Sequence, residues 1–234
     1  MTLLPRESGH DARAGAGVWS PSGLLIVFEG GDAVGKSTQV RALTSWLTDQ
    51  GVPVVQTFEP GDTAVGRTIR KAVLDPATGD LSPRTEALLY AADKAQHVAE
   101  VVAPALAAGQ VVVCDRYVDS MLAYQGAGRV LEIEEVAMVA RWATQDLRPH
   151  LTVLLDLDPS EAVSAKTDKD RLESAGEDLH HRVRHYFLAL AEADPEHYLV
   201  LPARLSITEI AERVQHRVRA LLPGTPGATS PALS

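Results

Sequence analysis

The chain has 234 residues, of which 45% are hydrophobic and 23% are charged, and its formal net charge is −9. This composition is typical of a globular protein with one sizeable core, while the negative charge argues against nucleic acid or an anionic membrane as a partner. Cys114 is the only cysteine, which excludes a disulfide within the chain and fits the reducing cytosol.

The two ends differ in composition from the rest of the chain. Residues 1–22 contain no apolar signal-peptide core, and residues 223–234 are rich in Pro, Gly, Ser and Thr. We expect a disordered leader and a disordered tail around one domain at 23–222. No apolar run approaches the length of a membrane span, so we expect a cytoplasmic protein.

The first predicted strand, 24–28, leads into a Gly-rich turn and then a helix at about 35–50. Gly30, Gly35, Lys36 and Ser37 fit the pattern G-x-x-x-x-G-K-[ST]. Glycines let backbone N–H groups converge on a polyphosphate, the lysine reaches its terminal phosphates, and the serine hydroxyl can ligate Mg²⁺. The sequence therefore predicts a nucleoside triphosphate loop formed by Gly30, Gly31, Asp32, Ala33, Val34, Gly35, Lys36, Ser37 and Thr38.

Strands and helices alternate along the remaining chain. Further strands are predicted at 52–58, 111–114, 151–157 and 198–201. Helices are predicted at 63–74, from 82 or 83 to about 108, and at 118–125, 132–146, 177–193 and 207–222. This alternation predicts an α/β fold with a parallel sheet and helices on both faces. Ligands of such sheets bind beyond the carboxyl ends of the strands, where residues 30–37, Glu59-Pro60, Asp115-Arg116 and the segment after Leu157 fall.

Several side chains near these ends admit two interpretations. Asp115 can hold the hydration shell of Mg²⁺ and Arg116 can bind a phosphate in a bidentate manner, or the two belong to a structural ion pair. Tyr90, Lys94 and His97 share one helix face. There the aromatic ring and the cation could hold a flat base, or Tyr90 lies in the core while Lys94 extends to solvent.

The spacing of residues also leaves two interpretations for each of three further features. The Gln125 amide could contact a base edge or simply lie at a helix end next to Gly126. Glu59 could contact an acceptor or belong only to a turn. The charged stretch 164–173 is either a solvated run or a mobile lid that brings cations to a phosphoryl group.

Six motifs in fixed order resemble those of bacterial thymidylate kinases, over about residues 24–220. They are Phe-Glu-Gly-Gly-Asp-Ala-Val-Gly-Lys-Ser-Thr-Gln at 28–39, Glu-Pro-Gly at 59–61, Glu-Ala-Leu-Leu-Tyr-Ala-Ala-Asp-Lys-Ala-Gln-His at 86–97, Asp-Arg-Tyr-Val-Asp-Ser at 115–120, Ala-Tyr-Gln-Gly at 123–126 and Asp-Arg-Leu-Glu at 170–173. The resemblance implies a P-loop kinase fold with a five-stranded sheet, a nucleotide-binding helical region, a lid at about 160–176 and a homodimer. It also implies phosphorylation of dTMP to dTDP with ATP and Mg²⁺, a step of nucleotide biosynthesis that supplies dTTP.

The resemblance also implies roles for individual residues. The ATP site is the loop at 30–38. The catalytic set implied is Lys36, Arg116, Lys166, Lys169 and Arg171, the last three as lid cations, since Ala33 is neutral where eukaryotic-type members carry an arginine. The metal ligands implied are Ser37 and Asp115. The acceptor site implied is Asp32, Phe58, Glu59, Arg70, Tyr90, Lys94, Arg116, Met121, Tyr124 and Gln125, with Tyr90 stacked on thymine and Tyr124 beside the sugar 2′ position.

Three positions depart from the family pattern. Phe58 stands where an arginine is usual, Lys94 where an arginine reads thymine O4, and Met121 where a small polar residue lies near the base. Lysine is a point donor and a thioether donates nothing, so a nucleoside-monophosphate kinase with another or broader base preference is an alternative. An arginine-poor lid also leaves open a P-loop protein that binds nucleotide without turnover.

Overall fold

The computed structural model describes residues 23–127, 131–161 and 177–222. The expected leader and tail lie outside the described residues. So do positions 162–176, which make up most of the expected lid and include its three candidate cations.

Five parallel strands form the sheet at the centre of the fold. They are β1 (Leu24–Gly30), β2 (Val54–Phe58), β3 (Val111–Asp115), β4 (Leu151–Asp156) and β5 (Tyr198–Pro202). Their spatial order is β2-β3-β1-β4-β5, which confirms the predicted parallel sheet. Asp115 is in register with Phe28 of β1 and Phe58 of β2. The carboxyl ends of these three strands therefore lie level at one edge.

Eight α-helices are found in the described residues. They are α1 (Lys36–Asp49), α2 (Ala64–Leu74), α3 (Pro83–His97), α4 (Ala103–Ala107), α5 (Val118–Met121), α6 (Ile133–Thr144), α7 (Glu177–Ala193) and α8 (Ile207–Arg219). The helix expected to run to about residue 108 consists of α3 and α4 joined by a π-helical segment, Val98–Val102. The wider turns precede Pro104, which has no N–H to donate to the carbonyl four residues earlier.

Three other predicted bounds also need correction. The helix expected at 118–125 ends at Met121 and continues as a second π-helical segment, Leu122–Ala127. The last helix ends at Arg219, short of the expected residue 222. Helix α6 ends before two residues with positive φ, Gln145 (53°) and Asp146 (57°), so the backbone there leaves the helical region earlier than the hydrophobic pattern indicated.

Helices cover both faces of the sheet, as the strand pattern predicted. One face packs against α1 and α8, and the other packs against the α3–α4 region, where Cys114 is fully buried. Helices α2, α3 and α6 form a further layer with its own apolar core, with α3 packed against both other helices. None of the described helices combines the length and apolarity that crossing a membrane requires.

Candidate active site

The phosphate loop lies between β1 and α1, as its motif predicted. Gly30 has a φ of +133°, and a Cβ atom at this position would lie 2.4 Å from the Leu155 carbonyl oxygen of β4. Only glycine lets the strand turn so close to its neighbour. The Lys36 ammonium donates hydrogen bonds to the carbonyl oxygens of Gly30 (3.2 Å) and Gly31 (2.5 Å). Burial, reinforced by the nearby Arg116, lowers the pKa of Lys36 to about 8.

Ser37 and Asp115 place two side-chain oxygen atoms next to each other. The Ser37 hydroxyl donates to Asp115 Oδ2 over 2.5 Å, so the first turn of α1 and the end of β3 meet. Oxygen donors of this type suit Mg²⁺. Within residues 23–127, 131–161 and 177–222, no group of three or more His, Cys, Asp or Glu side chains could hold a metal. A divalent ion held here therefore needs further ligands from water or from substrate phosphates.

Arg116 is fixed by three contacts immediately after β3. Its guanidinium donates to the Gly30 carbonyl (3.1 Å), to Ser120 Oγ (3.0 Å) and to Asp32 Oδ1 (2.5 Å). Tyr124 donates its hydroxyl to the other Asp32 oxygen at 3.2 Å, and its ring lies 5.4 Å from the guanidinium. Burial alone would raise the pKa of Asp32, but Arg116 and then Lys36 outweigh it and hold that pKa below its usual range.

A cavity of about 410 Å³ opens beyond the carboxyl ends of β1, β2 and β3. It brings together most of the residues that the sequence singled out, from segments up to about ninety positions apart. The predicted residues that line it are Asp32, Ala33, Lys36, Ser37, Phe58, Glu59, Arg70, Tyr90, Lys94, Asp115, Arg116, Met121, Tyr124 and Gln125. The remaining loop residues, Gly30, Gly31, Val34, Gly35 and Thr38, do not line it. Lys166, Lys169 and Arg171 lie outside the described residues.

Arg70 reaches this cavity from α2. Its guanidinium donates to the Pro60 carbonyl over 2.7 Å. It also lies 5.8 Å from the centre of the Phe58 ring. Phe58 is 40% exposed, so its ring forms a wall of the cavity against which the Arg70 guanidinium is held.

Of the two orientations considered from the sequence, the structure excludes the one in which Lys94 extends to solvent. Its ammonium does not extend to solvent, because the residue is 2% exposed and donates to Glu59 Oε2. His97 Nδ1 lies 2.7 Å from the other Glu59 oxygen. Lys94 opposes the burial that would raise the pKa of Glu59, and with His97 it holds that pKa below the usual range. Glu59 is thus an ionised carboxylate between two donors.

The hydrogen bonds of His97 continue to Thr57 of β2 and from there to Asp62. Thr57 Oγ1 lies 2.6 Å from His97 Nε2 and 2.5 Å from Asp62 Oδ2. A hydroxyl has one proton, and an ionised carboxylate only accepts. If Thr57 donates to Asp62, then both ring nitrogens of His97 must donate, one to Thr57 and one to Glu59.

Sequence reasoning missed several polar residues that support this site. Glu29 is fully buried in β1, and its carboxylate accepts from Tyr117 N (2.8 Å), Ser120 N (3.1 Å) and Ser120 Oγ (2.6 Å). Burial raises the pKa of Glu29. Asp93, which is also buried, accepts from the Gly61 amide at 3.0 Å. An acidic residue at the end of an apolar strand was a usable signal for Glu29, whereas a helical acid such as Asp93 gave none.

Comparison with known proteins shows the family to which this chain belongs. The family model described as thymidylate kinase matches residues 28–214. The chain belongs to the thymidylate kinase family. A thymidylate kinase of Cutibacterium acnes is 58% identical over 200 residues, which cover 86% of this chain and 98% of the relative. A second thymidylate kinase, from Clavibacter michiganensis, is 52% identical over 205 residues, which cover 86% of this chain and 97% of the relative.

A solved structure gives the same result in three dimensions. The crystal structure of thymidylate kinase from Ehrlichia chaffeensis aligns with a TM-score of 0.68 and 27% identity, covering 85% of this chain and 99% of the other. The predicted P-loop kinase fold is therefore confirmed. Membership of the thymidylate kinase family also confirms the resemblance that the six motifs carried. The roles of the individual cavity residues stay predictions.

Proposed function

We propose that this protein transfers the γ-phosphoryl group of ATP to the 5′-phosphate of dTMP, giving dTDP and ADP. One observation carries the proposal. A single cavity is lined both by the phosphate-loop residues Lys36 and Ser37 and by the base-pocket candidates Tyr90 and Gln125. The same cavity contains Arg70 and Arg116, two cations that can bind the phosphate of a second nucleotide in addition to the phosphates at the loop. The family membership supports the same reaction.

The chemistry requires alignment and charge more than a strong base. The attacking oxygen belongs to a phosphate that is already largely ionised at neutral pH, so catalysis depends on positioning and on neutralising charge in the transition state. Lys36 supplies charge at the ATP phosphates, and Arg70 and Arg116 supply it at the acceptor phosphate. Asp32, bound to Arg116 over 2.5 Å, keeps that guanidinium between the two substrates.

A divalent cation fits the oxygen pair described above. Ser37 and Asp115 would hold Mg²⁺ together with phosphate oxygens of ATP. The ion would offset negative charge on the transferring group. The lid cations Lys166, Lys169 and Arg171 are proposed to add positive charge at the transferring phosphoryl group, as the resemblance implies.

A coupled assay for ADP release in the presence of ATP, Mg²⁺ and dTMP tests the reaction, with dTDP identified chromatographically. We expect dTMP-dependent turnover that Lys36→Ala lowers by at least about a thousandfold. Glu135→Gln, an exposed substitution on α6, serves as the control and should retain full activity. A wild-type rate equal to that of Lys36→Ala would contradict the proposal.

One observation favours the second candidate, a kinase with a different or broader base preference. The Lys94 ammonium is paired with Glu59, so a base carbonyl would have to share this cation with a buried carboxylate. Rates with dTMP, dUMP, dCMP and dGMP at equal concentration separate the two candidates. We expect dTMP to be the best acceptor, and any other order would favour the alternative.

We also infer a homodimer through the layer of α2, α3 and α6. Each of these helices exposes a large apolar side chain, and Trp142 of α6 is 83% exposed. The exposed apolar residues of the layer are Val65, Leu88, Met138 and Trp142. Light scattering on the eluting protein should give twice the chain mass, and Trp142→Asp should shift it towards the monomer. A cytoplasmic location likewise stays a prediction.

A further inference from the structure

The Gln125 side chain is hydrogen-bonded to a second buried residue, Glu86. Gln125 lies in the π-helical segment after α5 and lines the active-site cavity, and Glu86 lies in the first turn of α3. Gln125 Nε2 donates to Glu86 Oε1 over 3.0 Å, and both residues are 1% exposed. Glu86 itself does not line the cavity. It can therefore affect a bound nucleotide only through the residues that it contacts.

This contact decides which end of the amide faces which way. A carboxylate only accepts hydrogen bonds, whereas an amide has one donating and one accepting end. If the Gln125 amide were reversed, its oxygen would meet Glu86 Oε1 in a buried space and the hydrogen bond between the two side chains would be lost, which is unfavourable. Glu86 therefore fixes the NH₂ group towards itself and the carbonyl oxygen, Oε1, in the opposite direction.

The carbonyl end is available to a ligand. Within the described part of the chain, no residue donates a hydrogen bond to Gln125 Oε1, and that atom is not among the buried side-chain atoms without a partner. Since the residue lines the cavity, the oxygen is accessible from it. Tyr90, one turn after Glu86 on α3, lines the same cavity, so the acceptor lies beside the ring proposed to stack on the base.

We propose that Glu86 is a specificity-determining positioning residue, which orients the Gln125 amide so that its carbonyl oxygen accepts the N3–H of thymine. This inference rests on the proposed function. Thymine and uracil have a donor at N3, whereas N3 of cytosine is an acceptor. A fixed carbonyl oxygen thus binds the first two bases and opposes cytosine. Without Glu86 the amide can turn and offer its NH₂ group to cytosine.

The test compares wild type with Glu86→Gln, which keeps the shape but can both donate and accept. For each protein kcat and KM are measured with dTMP, dUMP and dCMP, and calorimetry gives the affinities. We expect the preference for dTMP over dCMP in kcat/KM to fall about tenfold or more, mainly through KM, with kcat for dTMP nearly unchanged. The preference for dTMP over dUMP, which N3 does not distinguish, should stay constant.

Two controls separate positioning from a merely structural role. Glu135→Gln removes an exposed carboxylate of the same helical layer and should leave the dTMP to dCMP preference intact. Gln125→Met should lower that preference by itself, and adding Glu86→Gln should then change it no further. If Glu86→Gln does not fold, Glu86→Asp, which withdraws the carboxylate by one methylene, carries the same expectation.

Either of two results would overturn the inference. One is an unchanged ratio of dTMP to dCMP in Glu86→Gln, including equal losses with both substrates. The other is a wild-type protein that binds dCMP as tightly as dTMP. A wild type that prefers dTMP in binding yet forms no dTDP would contradict the proposed function instead, and the calorimetric ratios would then test Glu86.

Discussion

Replacing Asp93 with asparagine should stabilise this protein at neutral pH. Asp93 is 1% exposed on α3 and accepts a hydrogen bond from the Gly61 amide. Burial, followed by repulsion from Glu59, raises the pKa of Asp93 from 3.8 to about 6, and Lys94 opposes this only in part. The ionised carboxylate is therefore costly in the folded state, although it lies near cations.

The magnitude follows from the size of the shift. Two pKa units correspond to about 3 kcal/mol, and allowing for screening by solvent leaves about 2 kcal/mol. Asparagine keeps a carbonyl oxygen that can accept from Gly61, so the substitution removes the charge without removing the contact. We expect Asp93→Asn to increase the free energy of unfolding by about 2 kcal/mol at pH 8.

The pH dependence provides the stronger check. Because the folded-state pKa of Asp93 is raised, the folded protein binds more protons than the unfolded chain between about pH 4 and pH 6. The stability contribution of the neutral carboxyl is present below that window and is lost as the pH rises through it. The advantage of the asparagine variant should thus be complete above about pH 7 and fall to about half at pH 5.

Urea unfolding of wild type and Asp93→Asn at pH 5 and pH 8 measures the gain in stability and its dependence on pH. The effects of other titrating groups cancel when the free energies of unfolding of the two proteins are subtracted. Asp49→Asn, an exposed substitution at the end of α1, is the matched control. A variant less stable than wild type at pH 8, or an advantage that grows as the pH is lowered, would refute the reasoning.

Two further predictions follow from contacts in and around the cavity. Gly66→Ala should lower the free energy of unfolding by about 1–3 kcal/mol in urea titrations, because the new Cβ would lie 2.5 Å from Asp93 Oδ1; an unchanged midpoint would contradict this. Since the pKa of Lys36 is lowered to about 8 and only its ammonium binds phosphate well, the affinity for ATP should fall about tenfold per pH unit above 9. Calorimetry should show no such fall in Lys36→Met, which binds weakly throughout.

The phosphate loop could be predicted from sequence because its residues are contiguous. The positions from Gly30 to Ser37 need only a strand before them and a helix after them to converge on a phosphate. The alternation of apolar strands and helices likewise determined the parallel sheet, and with it the edge at which Asp115 and Arg116 lie. The six motifs then indicated the family without any knowledge of contacts.

Only the tertiary structure decided how the buried charges pair. Lys94 binds Glu59, which is 35 positions away, and Glu86 binds Gln125, which is 39 positions away. Periodicity places such residues on a helix face, but it does not say which side chain from another element meets them. That choice depends on how α3 packs against β2 and against the π-helical segment after α5. Because a buried polar group must find a partner when these elements come together, the packing, and not the local sequence, sets the pairing.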